Sequence, residues 1–255
     1  MIPYHDENET QRLAVVTLGI IAACTFMWLV VQGAGAAMPL AESVCNLGLI
    51  PGELTGLLRP GTRFPIGEGL ACVIDPGAQT SNIFTSMFLH GSWMHLIGNM
   101  WFLWLFGNNI EDSMTRPRFI AFYLLCGIAA ALLQVFMDPR SGVPMIGASG
   151  AISGVMGAYL VLYPRVRVYT LLPLGFFITT VALPAWAMLI YWMVLQLAGG
   201  LTGILSDESG GVAFWAHVGG FLAGVALIKV FAKRNHVVQH EGHTWRPGQM
   251  GWPSS

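Results

Sequence analysis

Six stretches of this chain contain no Asp, Glu, Lys or Arg, and no other feature restricts its fold as much. They run from Arg12 to Glu42, Asp75 to Glu111, Arg118 to Asp138, Arg140 to Arg165, Arg167 to Asp207 and Glu208 to Lys229. Each holds one apolar run of about 17–25 residues, enough to cross roughly 30 Å of hydrocarbon as a helix. The expected spans are residues 13–35, 93–109, 118–137, 148–163, 176–198 and 212–231. The gap after Arg167 is long enough for two spans, but Gly175, Gly199 and Gly200 frame a single apolar run. Only 10% of the residues are charged, against about 25% in an ordinary soluble domain. The net charge is −1 with no basic stripe. These figures exclude a soluble single domain, a disordered chain and a nucleic-acid partner. They point to an all-α polytopic membrane protein, a six-transmembrane-helix bundle whose solvent is mostly the lipid bilayer.

The first apolar run also suits a signal peptide. Its flank is acidic (Asp6, Glu7, Glu9) and no small-residue cleavage site follows, so it reads as a helix. Basic residues set the direction. With the N-terminus in the cytoplasm, nine fall on the inner side (Arg12, Arg116, Arg118, Arg165, Arg167, Lys229, Lys233, Arg234, Arg246). Three fall outside (Arg59, Arg63, Arg140). The organisation is then a cytoplasmic segment 1–12, a membrane domain 13–231 with a long external loop 36–82, and a polar cytoplasmic tail 232–255 expected to be disordered. The external loop is rich in Gly and Pro, and apolar pieces such as Gly69–Ile74 suit the membrane interface. Cys24 and Cys126 lie within spans and read as inert packing residues. Cys45 and Cys72 share the external loop and are equally readable as a disulfide or as two free thiols. His236, His240 and His243 have a metal-compatible spacing, but a solvated tail is the simpler reading. There is no internal repeat.

An ionisable residue inside a span is costly, and so is a functional candidate by default. The expected helices have no Asp or Glu in their cores. That argues against an aspartyl intramembrane protease and a carboxylate-relaying transporter, and no H-E-x-x-H zinc motif is present. What remains is His95, Asn99, Ser149, Ser153 and His217, with His90 just ahead of the second span. His95 and Asn99 are one turn apart on one helical face. Ser149 opens the fourth span, and His217 lies about five residues into the sixth, roughly 8 Å down. All four sit at similar depth in the external half of the bilayer. A serine and a histidine at one depth suit a nucleophile and its general base. Taken singly, each is more often structural, the serine bonding back to its own helix and the histidine packing in a core. Their neighbours alter that balance. Gly150/Gly154 and Gly220/Gly224 are small-xxx-small pairs that bring membrane helices close. Gly142 and Pro144 precede Ser149, and the first turn of a helix offers free N–H groups to an oxyanion. His95 and Asn99 are further donors. With no orienting carboxylate, the arrangement reads as a Ser–His dyad.

The motifs Gly147-Ala148-Ser149-Gly150, Ala216-His217-x-Gly219-Gly220-x3-Gly224 and His90-x4-His95-x3-Asn99 resemble those of rhomboid intramembrane serine proteases. The opening Met1-Ile2-Pro3, with Asp6-Glu7-Asn8, resembles many bacterial members. The resemblance covers roughly residues 1–230. It implies that Ser149 attacks the scissile carbonyl of a single-pass transmembrane substrate near the external face. His217 then acts as base and acid, and His95, Asn99 and the Ser149 N–H hold the oxyanion. Gly147, Gly150, Gly154, Gly220 and Gly224 support the packing, and neither cofactor nor metal is implied. The location it implies is the inner membrane of a bacterium. Span 5 and the loop Gly199–Gly211 take the place of gate and cap, with Pro184 bending the span. Two positions depart from the family pattern. Ser153 stands where members commonly place an aromatic against the catalytic histidine, leaving Phe214 or Trp215 as substitutes. Ser81 and Asn82 stand where some members have a Trp-Arg pair. Two other readings stay open. An inactive relative that escorts membrane helices is one, although this chain keeps both dyad residues. A small channel or carrier is the other, disfavoured by the lack of paired half-chain symmetry.

Overall fold

The structure is a computed structural model that describes residues 2–8, 10–67, 69–174, 177–206 and 213–238. The chain opens with strand β1 (Ile2–Asp6) and helix α1 (Val15–Phe26), which a wider π-turn extends to Val31. The loop that follows is a folded unit. It contains α2 (Ala37–Leu47), α3 (Pro51–Leu54) and the hairpin β2 (Arg63–Gly67) and β3 (Leu70–Val73), and it ends at α4 (Asn82–Thr85). Cys45 and Cys72 are joined as a disulfide. Cys72 packs with Ile50 and Ile74 in a small core within the loop, while Met38, Leu57 and Val73 stay exposed.

Helix α5 (Trp93–Phe102) passes through a π-turn at Leu103–Gly107 into α6 (Asn108–Asp112). Then come α7 (Arg116–Met137), α8 (Ser149–Leu162), the strands β4 (Arg167–Leu174) and β5 (Phe177–Pro184), α9 (Ala185–Ser206), α10 (Phe214–Phe231) and a short α11 (Arg234–Val238). Helical segments thus occupy five of the six expected spans nearly as drawn. Among the described residues, α7, residues Ala185–Thr202 of α9 and α10 are long and apolar enough to cross a membrane, while Val15–Val31 and α8 are shorter apolar helices. The bundle carries exposed apolar side chains such as Leu29, Phe136, Val194 and Leu222 on its outside. That surface suits lipid as its solvent.

Helix α8 is the exception, because 11 of its 14 residues are buried. At about 21 Å it is short for a bilayer. Protein rather than lipid surrounds it, so irregular chain at its ends is tolerated. Its neighbours are α7 and α10, and glycine sets the closeness of the α10 contact. A Cβ on Gly220 would strike the Gly150 carbonyl oxygen, one on Gly224 the Gly154 oxygen, and one on Gly157 the Phe221 oxygen. The two small-xxx-small pairs read from the sequence therefore face each other backbone to backbone.

Two expectations are corrected. The span expected at 176–198 begins instead as β5, which pairs with β4 along its full length from Arg167↔Pro184 to Leu174↔Phe177. β1 adds to the other side of β4. Pro184 therefore ends a strand and α9 starts after it. An uncharged run does not distinguish helix from buried strand, and the β-branched Thr179, Thr180 and Val181 favour the strand. The tail is also ordered at its start: the Lys233 N–H donates to Ser113 O at 2.9 Å, and Val237 is buried. His240 and His243 lie outside the described residues, and no metal-binding cluster occurs among those described.

Contacts separate the two ends of the bundle. At one end meet β1, the α6–α7 corner and the start of the tail, where Arg12 Nε pairs with Asp112 Oδ1 at 2.7 Å. The buried Glu111 carboxylate there caps α1 by accepting the Val16 and Thr17 N–H groups at 2.9 and 2.8 Å. At the other end the loop unit joins residues 138–146, through Gly52 N–H to Ser141 O and the Leu49↔Met145 bridge. Among the described residues, Arg12 and Lys233 lie at the first end, and the loop unit bearing Arg59 and Arg63 meets the segment bearing Arg140 at the other.

Asp6 at the first end accepts hydrogen bonds from Asn109 Nδ2 and the Tyr159 hydroxyl. Burial pushes its carboxyl up from 3.8 to about 6, against the lowering effect of Tyr159. The native state therefore holds this proton more tightly than the unfolded chain does. Its stabilising contribution is fully present below pH 4 and lost as pH rises through about 6. Asp6→Asn is expected to remove this increment, about 3 kcal/mol, from the pH dependence of thermal unfolding in detergent. Gly224→Leu is expected to lower stability by about 3 kcal/mol or to prevent folding. Gly19→Ala, where a Cβ meets nothing within 4 Å, should stay within about 1 kcal/mol of wild type in the same melts.

Candidate functional site

Ser149 is the first residue of α8, and the turn before it depends on glycine. Gly147 has φ +126°, a conformation L side chains rarely adopt, and a Cβ there would lie 2.8 Å from His95 Nε2. Its N–H donates to Ser86 O at 2.9 Å. The N-terminal N–H groups of an α-helix lack intrahelical partners, and Ala148 offers no side-chain cap. Ser149, at that helix end, lines the site.

His217 lies in the first turn of α10, shallower than the five residues expected, since that helix starts at Phe214. The α8–α10 interlock puts His217 Nε2 2.8 Å from Ser149 Oγ. The other ring nitrogen, Nδ1, is 2.8 Å from Gln196 Oε1 on α9, and the Trp192 ring lies 5.7 Å from the imidazole, centroid to centroid.

His95 and Asn99 face the same space from α5. Ser92 caps that helix by accepting the His95 N–H at 3.1 Å. His95 Nδ1 accepts the Gly91 N–H at 3.2 Å, which leaves the ring proton on Nε2, the atom nearest Gly147. Asn99 Nδ2 is buried without a hydrogen-bond partner among the described residues. His90 packs edge-on against His95 at 5.1 Å, and the Gln32 side chain holds its backbone N–H and carbonyl. Burial, with His95 adding to it, drives the His90 pKa down to about 3. His90 is thus a neutral support for His95.

His95, Asn99, Ser149, Trp192 and His217 line one cavity of about 360 Å³, together with Ile152 and Met156. No Asp or Glu is among its described lining residues. The structure therefore unites Ser149, His217, His95 and Asn99, as their matched depth suggested. Ser153 donates its hydroxyl back to Ser149 O at 2.6 Å, the bland fate of a membrane serine. The substitutes expected for the missing aromatic are not the ones used. Phe214 and Trp215 pack at Gly199 and Gly200 of α9, and Trp192 takes the place beside the imidazole. Asn82 ties the external loop to the bundle by donating to Asn46 O and Gly48 O at 3.2 and 2.9 Å. Residues 199–206, expected as the start of the cap loop, instead continue α9, and residues 207–211 lie outside the described residues.

Sequence reading missed Trp192 and Gln196. A signal for Gln196 existed, as it is the one amide side chain between Ala185 and Ser206. An inventory of ionisable groups passes over it.

Residues 77–234 match the rhomboid domain. The chain belongs to the rhomboid family. Among curated proteins it is similar to presenilin-associated rhomboid-like protein A, mitochondrial, of Danio rerio, with 30% identity over 65% of this chain and 43% of that protein. Rhomboid-like protein 11, chloroplastic, of Arabidopsis thaliana is 29% identical over 58% of this chain and 51% of its own length. Rhomboid protein 1, mitochondrial, of Saccharomyces cerevisiae is 28% identical over 56% and 40%. The chain thus spans about half the length of these relatives. Fold and family together make it a helical polytopic membrane protein. The names of these relatives place them in mitochondria and chloroplasts, so they lend no support to a bacterial inner membrane.

Gly147→Ala puts a methyl group against His95 and strains the turn before Ser149. It is expected to cost about 1–3 kcal/mol in detergent melts.

Proposed function

We propose that this rhomboid is an intramembrane serine endopeptidase that cleaves single-pass membrane proteins near the outer end of their transmembrane segments. The observation that carries the proposal is the 2.8 Å approach of Ser149 Oγ to His217 Nε2 at the mouth of a helix.

In this reading His217 Nε2 takes the Ser149 hydroxyl proton as Oγ bonds to the scissile carbonyl carbon. The oxyanion that forms has three donors in reach of the same cavity: the Ser149 N–H, His95 Nε2–H and the unpartnered Asn99 Nδ2–H. His217 then gives its proton to the departing amine. Water, with His217 again as base, releases the acyl group and restores the hydroxyl. No step calls on a metal or cofactor. The close-packed glycines, Gly150 and Gly154 against Gly220 and Gly224, keep nucleophile and base within hydrogen-bond reach.

The membrane placement belongs to the same proposal: a multi-pass protein with its N- and C-termini on the basic side and the loop unit opposite. The Cys45–Cys72 disulfide supports an oxidising environment for that loop.

The test is cleavage of a labelled single-pass substrate in proteoliposomes, with fluorophosphonate labelling alongside. Ser149→Ala and His217→Ala are expected to abolish cleavage, and Ser149→Ala to abolish labelling. Asn99→Ala should lower kcat by about 10²–10³. Cleavage surviving loss of Ser149 or His217 would overturn the dyad. A folded wild type that neither cleaves nor labels would favour an inactive escort of membrane helices.

A further inference from the structure

We infer that Gln196 is a positioning residue that holds the His217 ring in the tautomer able to receive the Ser149 proton, an inference that rests on the protease reading above. For Nε2 to accept from Ser149, the ring proton must sit on Nδ1. A buried N–H needs an acceptor, and serine hydrolases commonly supply a carboxylate there. No carboxylate lines this cavity among the described residues, and the acceptor facing Nδ1 is Gln196 Oε1 at 2.8 Å. A neutral amide performs the orienting task without placing a charge among membrane helices.

Trp192 lies one turn earlier on α9 and shares a face with Gln196. Its ring covers the imidazole at an interplanar angle of 40°. One helix thus restrains His217 in two directions, in the ring plane through Gln196 and across it through Trp192. The other face of α9 exposes Trp186, Ile190, Val194 and Leu197. The orientation of the base therefore depends on α9 being seated against α10. Among the described residues, the other polar groups that share the cavity with the ring include Ser149 from α8 and His95 from α5, while α7 brings the neutral Gln134, which accepts the Ala216 N–H at 3.2 Å.

The test is steady-state cleavage in proteoliposomes by wild type, Gln196→Met and Gln196→Glu across pH, with thermal melts and fluorophosphonate labelling of each. Gln196→Met keeps the volume and removes the acceptor. It is expected to lower kcat at least about tenfold, with KM within about twofold of wild type. Gln196→Glu keeps an acceptor and adds charge that favours the imidazolium. It should recover kcat at alkaline pH, with the acid limb of its profile moved to higher pH. A purely packing role predicts otherwise, with both variants altered alike and the pH profile unmoved, and that result would overturn the inference. So would wild-type kcat in Gln196→Met. If Gln196→Met does not fold, the Gln196→Glu profile decides alone. A wild type that neither cleaves nor labels defeats the protease reading and this inference with it. An active wild type with an indifferent Gln196 defeats only the inference.

Discussion

The backbone-to-backbone contact of α8 with α10 is the constraint on which the rest of the structure depends. Gly150, Gly154 and Gly157 on one helix lie so near Gly220, Phe221 and Gly224 on the other that a single methyl group would collide with a carbonyl oxygen. Ser149 and His217 have short side chains, and they meet only because their helices do. Without a strong hydrophobic drive between helices in lipid, such intimacy comes from dispersion contacts and weak Cα–H···O bonds along a smooth surface. The same closeness encloses α8 in protein, which is why a helix of 14 residues can sit at the centre of a membrane bundle.

Polar groups are managed at the two ends of this bundle. At the end bearing β1, Glu111 caps α1, Asp112 pairs with Arg12, and Asp6 shares hydrogen bonds with Asn109 and Tyr159, so the first strand is clasped to the foot of the helix that begins at Ser149. At the opposite end a disulfide-linked loop unit braces the turn that presents Ser149. The polar groups left with unused bonding capacity between these ends include Asn99 Nδ2, which lines the same cavity as the nucleophile.

Much of the site was legible because membrane burial makes polar residues conspicuous. Ser149, His217, His95 and Asn99 stood out against apolar neighbours, and their depth could be counted along helices of fixed rise. The glycine pairs could be read because close packing requires their spacing. The β4–β5 hairpin was not legible. Residues 168–183 lack charge in either conformation, and hydrogen bonding to β1, distant in sequence, favours the sheet. Gln196 and Trp192 also escaped notice. A neutral amide and an indole are unremarkable in a membrane helix until its rotation and register against α10 are known.

By itself the sequence determined that the chain lies in a membrane, which of its ends carries more positive charge, and which few side chains are available for chemistry there. These follow from transfer energies and helical periodicity, which are local properties. The tertiary structure alone decided which of those side chains touch: that His217 reaches Ser149, that Ser153 turns back on its own helix, and that α9 supplies both groups orienting the imidazole. Contacts between helices depend on rotation and separation to within about an ångström, and shape complementarity across the whole bundle fixes those values.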